Sequence, residues 1–263
     1  MPESERPILY DRRERIAWIR LNRPHRLNAV SEPLYEALEA AVADAERDDG
    51  VRAIVVGGEG RAFCVGADLK AHRERERTAA ERRAYAWAGQ RACARLQDCP
   101  KPVVAAVNGY ALGAGAEMAL SCDFVVMAEE AEMGFPEVGL GTFLGGGLTY
   151  LLPKLVGLGK ARELIMLGGR FTGRQAATLG LVMKAVPLAQ LHVEAEALAT
   201  ALAGQAPLSL RFAKEQLNCH PRLDPKTAMT SEVDALVACM STEDWKEGVR
   251  AFAEKRPPAF RGI

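Results

Sequence analysis

Asn108-Gly109-Tyr110-Ala111-Leu112-Gly113-Ala114-Gly115-Ala116-Glu117 carries the chain out of one apolar run and into another. The run before it, Pro102–Val107, is suited to a buried strand, and the residues after Gly113 read as a helix. A glycine-rich turn entering a helix gathers backbone N–H groups that have no partner within the helix. Such a start can hold negative charge developing on an oxygen, and a carboxylate beside it can move protons. No Lys-Ser/Thr follows the glycines and the G-x-G-x-x-G spacing is missing, so the turn is neither a phosphate loop nor a dinucleotide fingerprint. Further on, Gly134-Phe135-Pro136-Glu137-Val138-Gly139-Leu140-Gly141 sets a second carboxylate among apolar neighbours, where burial would raise its pKa. Taken singly, Glu117 is equally a first-turn acid satisfying the helix dipole, and Glu137 an exposed loop acid. Together they point to chemistry on a carbonyl compound.

Upstream, Ile8–Tyr10 and Ile16–Leu21 read as short strands, and Ser31 with Pro33 opens a helix whose buried face runs through Leu34, Leu38 and Val42. Val51–Val56, apolar but for Arg52, is suited to a buried strand, and the loop Arg61–Leu69 follows it. Ligands of open α/β layers sit at strand ends of this kind, though Asp68 is also readable as a plain helix cap. A long helix is expected from about Thr78 to Gln97, and a short strand at Phe124–Met127. The β-β-α rhythm recurs without a repeated sequence. From Pro187 the character changes to helices at Leu188–Leu202, Leu208–Leu217, Lys226–Met240 and Thr242–Ala253, with Asp224-Pro225 opening the third and Ser241-x-x-Asp244 the last. This tail is expected to pack on the core or on another subunit.

At 263 residues and 49% hydrophobic, the chain can bury a substantial core. Lys plus Arg balances Asp plus Glu at 34 each, so there is no global basic field for nucleic acid. No apolar run approaches a membrane span, and the charged start Met1–Arg6 has neither the apolar core of a secretory signal nor the acid-poor character of a transit peptide. Cys64, Cys93, Cys99, Cys122, Cys219 and Cys239 form no C-x-x-C pair, and His25, His72, His192 and His220 are dispersed. They read as reduced thiols of a cytoplasmic protein without a metal site.

In order and spacing, several motifs resemble the crotonase, or enoyl-CoA hydratase/isomerase, superfamily. They are Leu21-Asn22-Arg23-Pro24 with Leu27-Asn28-Ala29, the Phe63–Leu69 loop, Asn108–Glu117, Cys122-Asp123, Pro136-Glu137 and Phe252-x-Glu254-Lys255-Arg256. The resemblance implies an α/β fold, a crotonase-like spiral of repeated β-β-α units over residues 1–190 with a C-terminal helical oligomerisation segment over 191–263. It implies an oxyanion hole made by the backbone N–H groups of Ala67 and Ala114, holding a thioester oxygen as an enolate forms. Glu117 and Glu137 match the two acid/base glutamates of the family's hydratases. CoA, carried by the substrate with no separate cofactor, is expected along Arg26, Leu27 and Ala29, with its adenine near Ala67, Asp68 and Leu69.

Lys70 and Arg73 could answer its phosphates. Most of the charged stretch Lys70–Arg83 reads instead as a solvated helix face. Phe252 and Lys255 match a pair that reaches CoA from a neighbouring subunit, in a homotrimer or a hexamer built from trimers. Keeping both glutamates favours hydration of a 2-enoyl-CoA over double-bond isomerisation. An isomerase, another CoA-ester lyase or hydrolase, and a non-catalytic RNA-binding or structural homologue stand as alternatives on the same fold. A serine hydrolase is disfavoured because no G-x-S-x-G occurs. The chain departs from the usual hydratase pattern at Ala114 (usually Gly), Leu144 (usually Pro) and Tyr150-Leu151 (usually Gln-Arg). The last two departures admit a branched, cyclic or aromatic acyl group.

Overall fold

The computed structural model describes residues 6–74, 76–219 and 224–263, so His220 and the charged N-terminus through Glu5 lie outside the described residues. The first half of the chain runs β1 (Ile8–Arg13), β2 (Ile16–Leu21), α1 (Glu32–Arg47), β3 (Ala53–Gly58), β4 (Ala62–Cys64), α2 (Leu69–Glu74), α3 (Ala79–Asp98), β5 (Val103–Val107), β6 (Tyr110–Leu112) and α4 (Ala114–Leu120). Next come β7 (Phe124–Ala128), β8 (Glu132–Gly134), α5 (Leu148–Leu167), β9 (Arg170–Thr172), α6 (Gly173–Thr178) and β10 (Lys184–Val186). Four helices close the chain: α7 (Leu191–Ala203), α8 (Pro207–Cys219), α9 (Pro225–Met240) and α10 (Glu243–Glu254).

Two sheets result, a six-stranded one in the order β1-β2-β3-β5-β7-β10 and a four-stranded one in the order β4-β6-β8-β9. Each winding of the chain lays one strand in the larger sheet and the next in the smaller, as β3 then β4, β5 then β6, and β7 then β8. The expected β-β-α rhythm is thus a spiral. All strands of the larger sheet pair in parallel except β1 with β2, and only β8 with β9 is antiparallel in the smaller. Every residue of β5 and all but the last of β3 are buried, as a parallel sheet covered on both faces requires.

Helix α7 packs against β2, β3, β5 and β7. Its buried stripe, Leu191, Ala195, Ala199 and Ala203, has four-residue spacing, and the three alanines are small enough to let the helix sit close. Helix α1 packs on α3 and on the β1–β2 hairpin. Lys214 ties α8 to the core, its Nζ lying 2.8 Å from Asp123 Oδ2 and 3.1 Å from the Leu96 carbonyl. Asp244 accepts from the Arg261 and Gly262 N–H groups at 2.7 and 2.8 Å, folding the C-terminus back.

Helix starts follow local chemistry with two corrections. Thr78 and Glu81 form a reciprocal capping box on α3, and Asp224 caps α9. Ser31 takes the N-cap position of α1 but its side chain makes no cap hydrogen bond. The cap of α10 is Thr242, which accepts from the Trp245 N–H, rather than Ser241. Among the described residues no helix is long and apolar enough to cross a membrane.

Candidate active site

Four segments converge where the strands of the smaller sheet end. The first, Arg23–Val30, turns through Leu27 and Asn28 in the left-handed region, at φ 51° and 56°. Asn28 is fully buried and makes this turn: its Oδ1 accepts from the Arg23 N–H at 2.8 Å. Its Nδ2 donates to the Ala62 and Glu59 carbonyls at 2.8 and 3.0 Å. The second segment, Val65–Asp68, is stitched alongside, with the Val65 N–H donating to the Leu27 carbonyl and the Val30 N–H to the Gly66 carbonyl. Arg26, Leu27 and Ala29 are thereby brought beside Ala67, Asp68, Leu69 and Lys70, two groups far apart in the chain.

Asp68 is buried and engaged by protein groups. Its Oδ1 accepts from the Ala71 N–H at 3.1 Å, capping α2, and its Oδ2 lies 3.2 Å from Arg23, with Arg26 at 3.9 Å. Burial opposes its ionisation, but the Ala71 N–H and Arg23 outweigh that and hold the carboxyl below the usual range. The cap reading of Asp68 describes these contacts. Leu69 and Lys70 lie exposed at the start of α2.

Helix α4 is the third segment, and two glycines set its approach. At Gly115 a Cβ would fall 2.0 Å from the Cys64 carbonyl oxygen, so only glycine lets the helix come this close to β4. Gly66, at φ +86°, brings the second segment against the helix start, where a Cβ on it would lie 3.4 Å from the Ala114 nitrogen. Ala114 opens α4. Among the described residues neither the Ala67 nor the Ala114 N–H has an acceptor.

The fourth segment runs from Gly134 through Gly147. Glu137 is buried, its Oε2 has no hydrogen-bond partner among the described residues, and its Oε1 lies 2.5 Å from where a Cβ on Gly113 would be. Glu117, in the first turn of α4, is also buried and accepts from the Gly145 N–H at 2.6 Å. Burial pushes the Glu117 carboxyl up to about 7 against the pull of the Gly145 N–H, with the charge of Glu137 adding to the rise. Burial likewise raises Glu137. Two neighbouring buried carboxyl groups with raised pKa have the electrostatic character expected of groups that give and take protons.

Phe252 and Lys255 stand apart from this convergence. Phe252 is 88% exposed on α10, and Lys255 ends that helix at φ 54°. Leu144 is buried, whereas Tyr150 is exposed beneath Lys154, whose Nζ is 3.0 Å from the ring centroid. Sequence reasoning misses Gly145 and the pair Tyr35–Tyr85 between α1 and α3, with ring centroids 6.1 Å apart, and it notes Asn28 only as part of a motif, without its role in the turn. The run Gly145-Gly146-Gly147 ahead of a helix is a usable signal for the first.

Compared with known proteins, residues 11–262 match the family described as enoyl-CoA hydratase/isomerase. A short-chain-enoyl-CoA hydratase of Clostridium acetobutylicum is 35% identical over 250 residues, spanning 95% of each chain. The crotonyl-CoA hydratase of Syntrophomonas wolfei is 36% identical, over 96% of this chain and 97% of its own. A crystal structure of an enoyl-CoA hydratase from Bacillus anthracis superposes with a TM-score of 0.94 at 34% identity, over 98% of this chain and 100% of that one. Match to the family along nearly the whole length, with the same spiral architecture, makes this chain a crotonase-superfamily enzyme belonging to the enoyl-CoA hydratase/isomerase family.

Proposed function

We propose that this enzyme adds water across the 2,3 double bond of a 2-enoyl-CoA. The observation that carries the reading is the pair of buried carboxylates, Glu137 against Gly113 and Glu117 against Gly145, both with raised pKa. Water's oxygen adds to C3 as the ionised glutamate takes its proton, and the protonated glutamate delivers a proton to C2. Between these events the electron pair of the double bond resides on the thioester oxygen as an enolate. The N–H groups of Ala67 and Ala114 hold that oxygen, each donor contributing on the order of 3 kcal/mol to the transition state. The reaction consumes one water and leaves a 3-hydroxyacyl-CoA, with both glutamates returned by exchange of a proton.

In this reading the CoA lies along Arg26, Leu27 and Ala29 and past Ala67–Lys70, which the fold brings side by side. Phe252 and Lys255 reach the CoA of a neighbouring subunit in a homotrimer or a pair of trimers, with residues 191–263 supplying the assembly surface. Exposed apolar side chains on α9 and α10, among them Met229, Val233, Leu236, Val237 and Phe252, support that role. The buried free thiols of Cys64, Cys93, Cys99 and Cys122 support a cytoplasmic location. The test is a spectrophotometric assay with crotonyl-CoA. Saturable loss of the conjugated enoyl-thioester absorbance, with a 3-hydroxyacyl-CoA product, is expected; bound but unaltered crotonyl-CoA would refute hydration of this substrate.

A further inference from the structure

Arg77 is half-buried, whereas Arg73, Glu74 and Glu76 beside it in the chain are exposed. Its guanidinium carbon lies 4.4 Å from the centroid of the Tyr85 ring, and the edge of His72 meets the same ring at 4.9 Å. Within this cluster Arg77 Nη1 and the Tyr85 hydroxyl are both buried, and neither has a hydrogen-bond partner among the described residues. The nearby anion Glu32 has its Oε2 4.0 Å from Arg77 Nη2, too far for a hydrogen bond. Asp68 is already engaged by Arg23 and Arg26.

A buried donor left unsatisfied is destabilising, and native interiors carry few of them. Two together, one on a cation and one on a phenol, are the donor set for an anionic acceptor that arrives from outside the protein. The cluster's place in the fold says which part of the substrate meets it. Tyr35 is buried in range of both Glu117 and Tyr85, and its hydroxyl lies 3.1 Å from where a Cβ on Gly89 of α3 would be. Tyr85 stands 6.1 Å from Tyr35 and in turn carries Arg77 over its ring. The row therefore leads outward from the acid/base carboxylates along α1 and α3.

We propose that Arg77 and Tyr85 form a recognition subsite for a carboxylate at the far end of the substrate's acyl chain, so that the enzyme prefers 2-enoyl-CoAs ending in a carboxylate over their plain alkyl counterparts. The inference rests on the hydratase reading for where the acyl chain lies. Its substrates would come from reactions that activate or desaturate dicarboxylic acyl groups, and its products would be 3-hydroxyacyl-CoAs that keep the distal carboxylate.

The test is calorimetric binding of saturated CoA esters, which are not turned over, in pairs that differ only by the terminal group: adipyl-CoA against hexanoyl-CoA, and suberyl-CoA against octanoyl-CoA. In at least one pair the carboxylated ester should bind about tenfold to a hundredfold more tightly, the range for a charge-assisted hydrogen-bonded contact. Arg77→Met should bring that ratio close to one. Tyr85→Phe, which removes one oxygen and leaves the packing intact, should lower it several-fold. Equal binding within both pairs, with the alkyl esters still bound, would overturn the subsite and leave the hydratase reading standing. A ratio that survives Arg77→Met would also overturn it. So would an Arg77→Met variant that loses as much affinity for free CoA as for the carboxylated ester, since the anion would then be a CoA phosphate. Absence of binding by every CoA ester would sink the subsite and the hydratase reading together.

Discussion

Replacing Gly113 by alanine adds one methyl group at the point where the proposed acid/base machinery is tightest. Gly113 sits at φ 53°, ψ −120°, a conformation that a residue with a Cβ resists. Holding alanine there costs about 1–3 kcal/mol in backbone strain. The added Cβ would also lie 2.5 Å from Glu137 Oε1, well inside the 3.4 Å at which ordinary contact begins. The carboxylate must retreat by about 1 Å, and a displacement of that size at a reacting group lowers rate by roughly 10²-fold. In the crotonyl-CoA assay kcat should therefore fall by about two orders of magnitude, with KM changed much less because the proposed CoA contacts are elsewhere. Gly180→Ala separates strain from displacement: Gly180 has φ 74°, and a Cβ there would meet nothing within 4 Å. That variant should lose comparable stability, a few degrees in Tm, and keep its turnover. Wild-type kcat in a folded Gly113→Ala protein, or an equal loss of kcat in Gly180→Ala, would refute the placement of Glu137.

Other expectations follow from the same geometry. Glu117 keeps its proton up to about pH 7 in the folded chain, against an ordinary 4.5 once unfolded. Between those values the folded protein binds more protons, so its stability falls as pH rises, by roughly 3 kcal/mol at pH 8. Glu117→Gln removes this penalty; its urea midpoint should exceed that of wild type at pH 8 and match it near pH 4, and equal midpoints at both would contradict the burial account. Ala114→Pro deletes an N–H at the first position of α4, where proline is tolerated, so the protein should fold and lose about 10²–10³ in kcat. A folded variant that retains its rate would show that another N–H holds the thioester oxygen. Asn28→Ala strands the Arg23 N–H and the Ala62 carbonyl that Asn28 satisfies and leaves alanine in the left-handed region, at a cost on the order of 3 kcal/mol in chemical unfolding.

Where one local rule dominates, the fold is legible in the sequence. Val51–Val56, Pro102–Val107 and Phe124–Met127 are apolar runs too short for helices, and each lies over a strand of the larger sheet. The Thr78 and Asp224 caps mark their helices because a side-chain oxygen meets free N–H groups there. Helix α5 is hard to read because Pro153 lies inside it and Gly157 breaks it at φ 76°, while its apolar residues do not gather on one face. The three-residue strands β4, β6, β8 and β9 are too brief for an alternating pattern and exist through their neighbours.

At the site, Glu117 and Glu137 stand out because a carboxylate among apolar residues is chemically conspicuous. The Gly145 N–H that holds Glu117 is a backbone group and leaves only a glycine run as its trace. Arg77 is hidden for a different reason. A charged stretch is ordinarily solvated, and it is tertiary placement against Tyr85 that half-buries this side chain.

The central claim is that two glutamates share one act of proton transfer. It is tested most directly by the turnover of crotonyl-CoA in Glu117→Gln and Glu137→Gln, each measured beside calorimetric binding of a saturated CoA ester. Both variants should bind the ester as wild type does and lose about 10² or more in kcat, since each substitution removes one partner of the transfer. Near-normal turnover in either variant would contradict the paired-carboxylate mechanism.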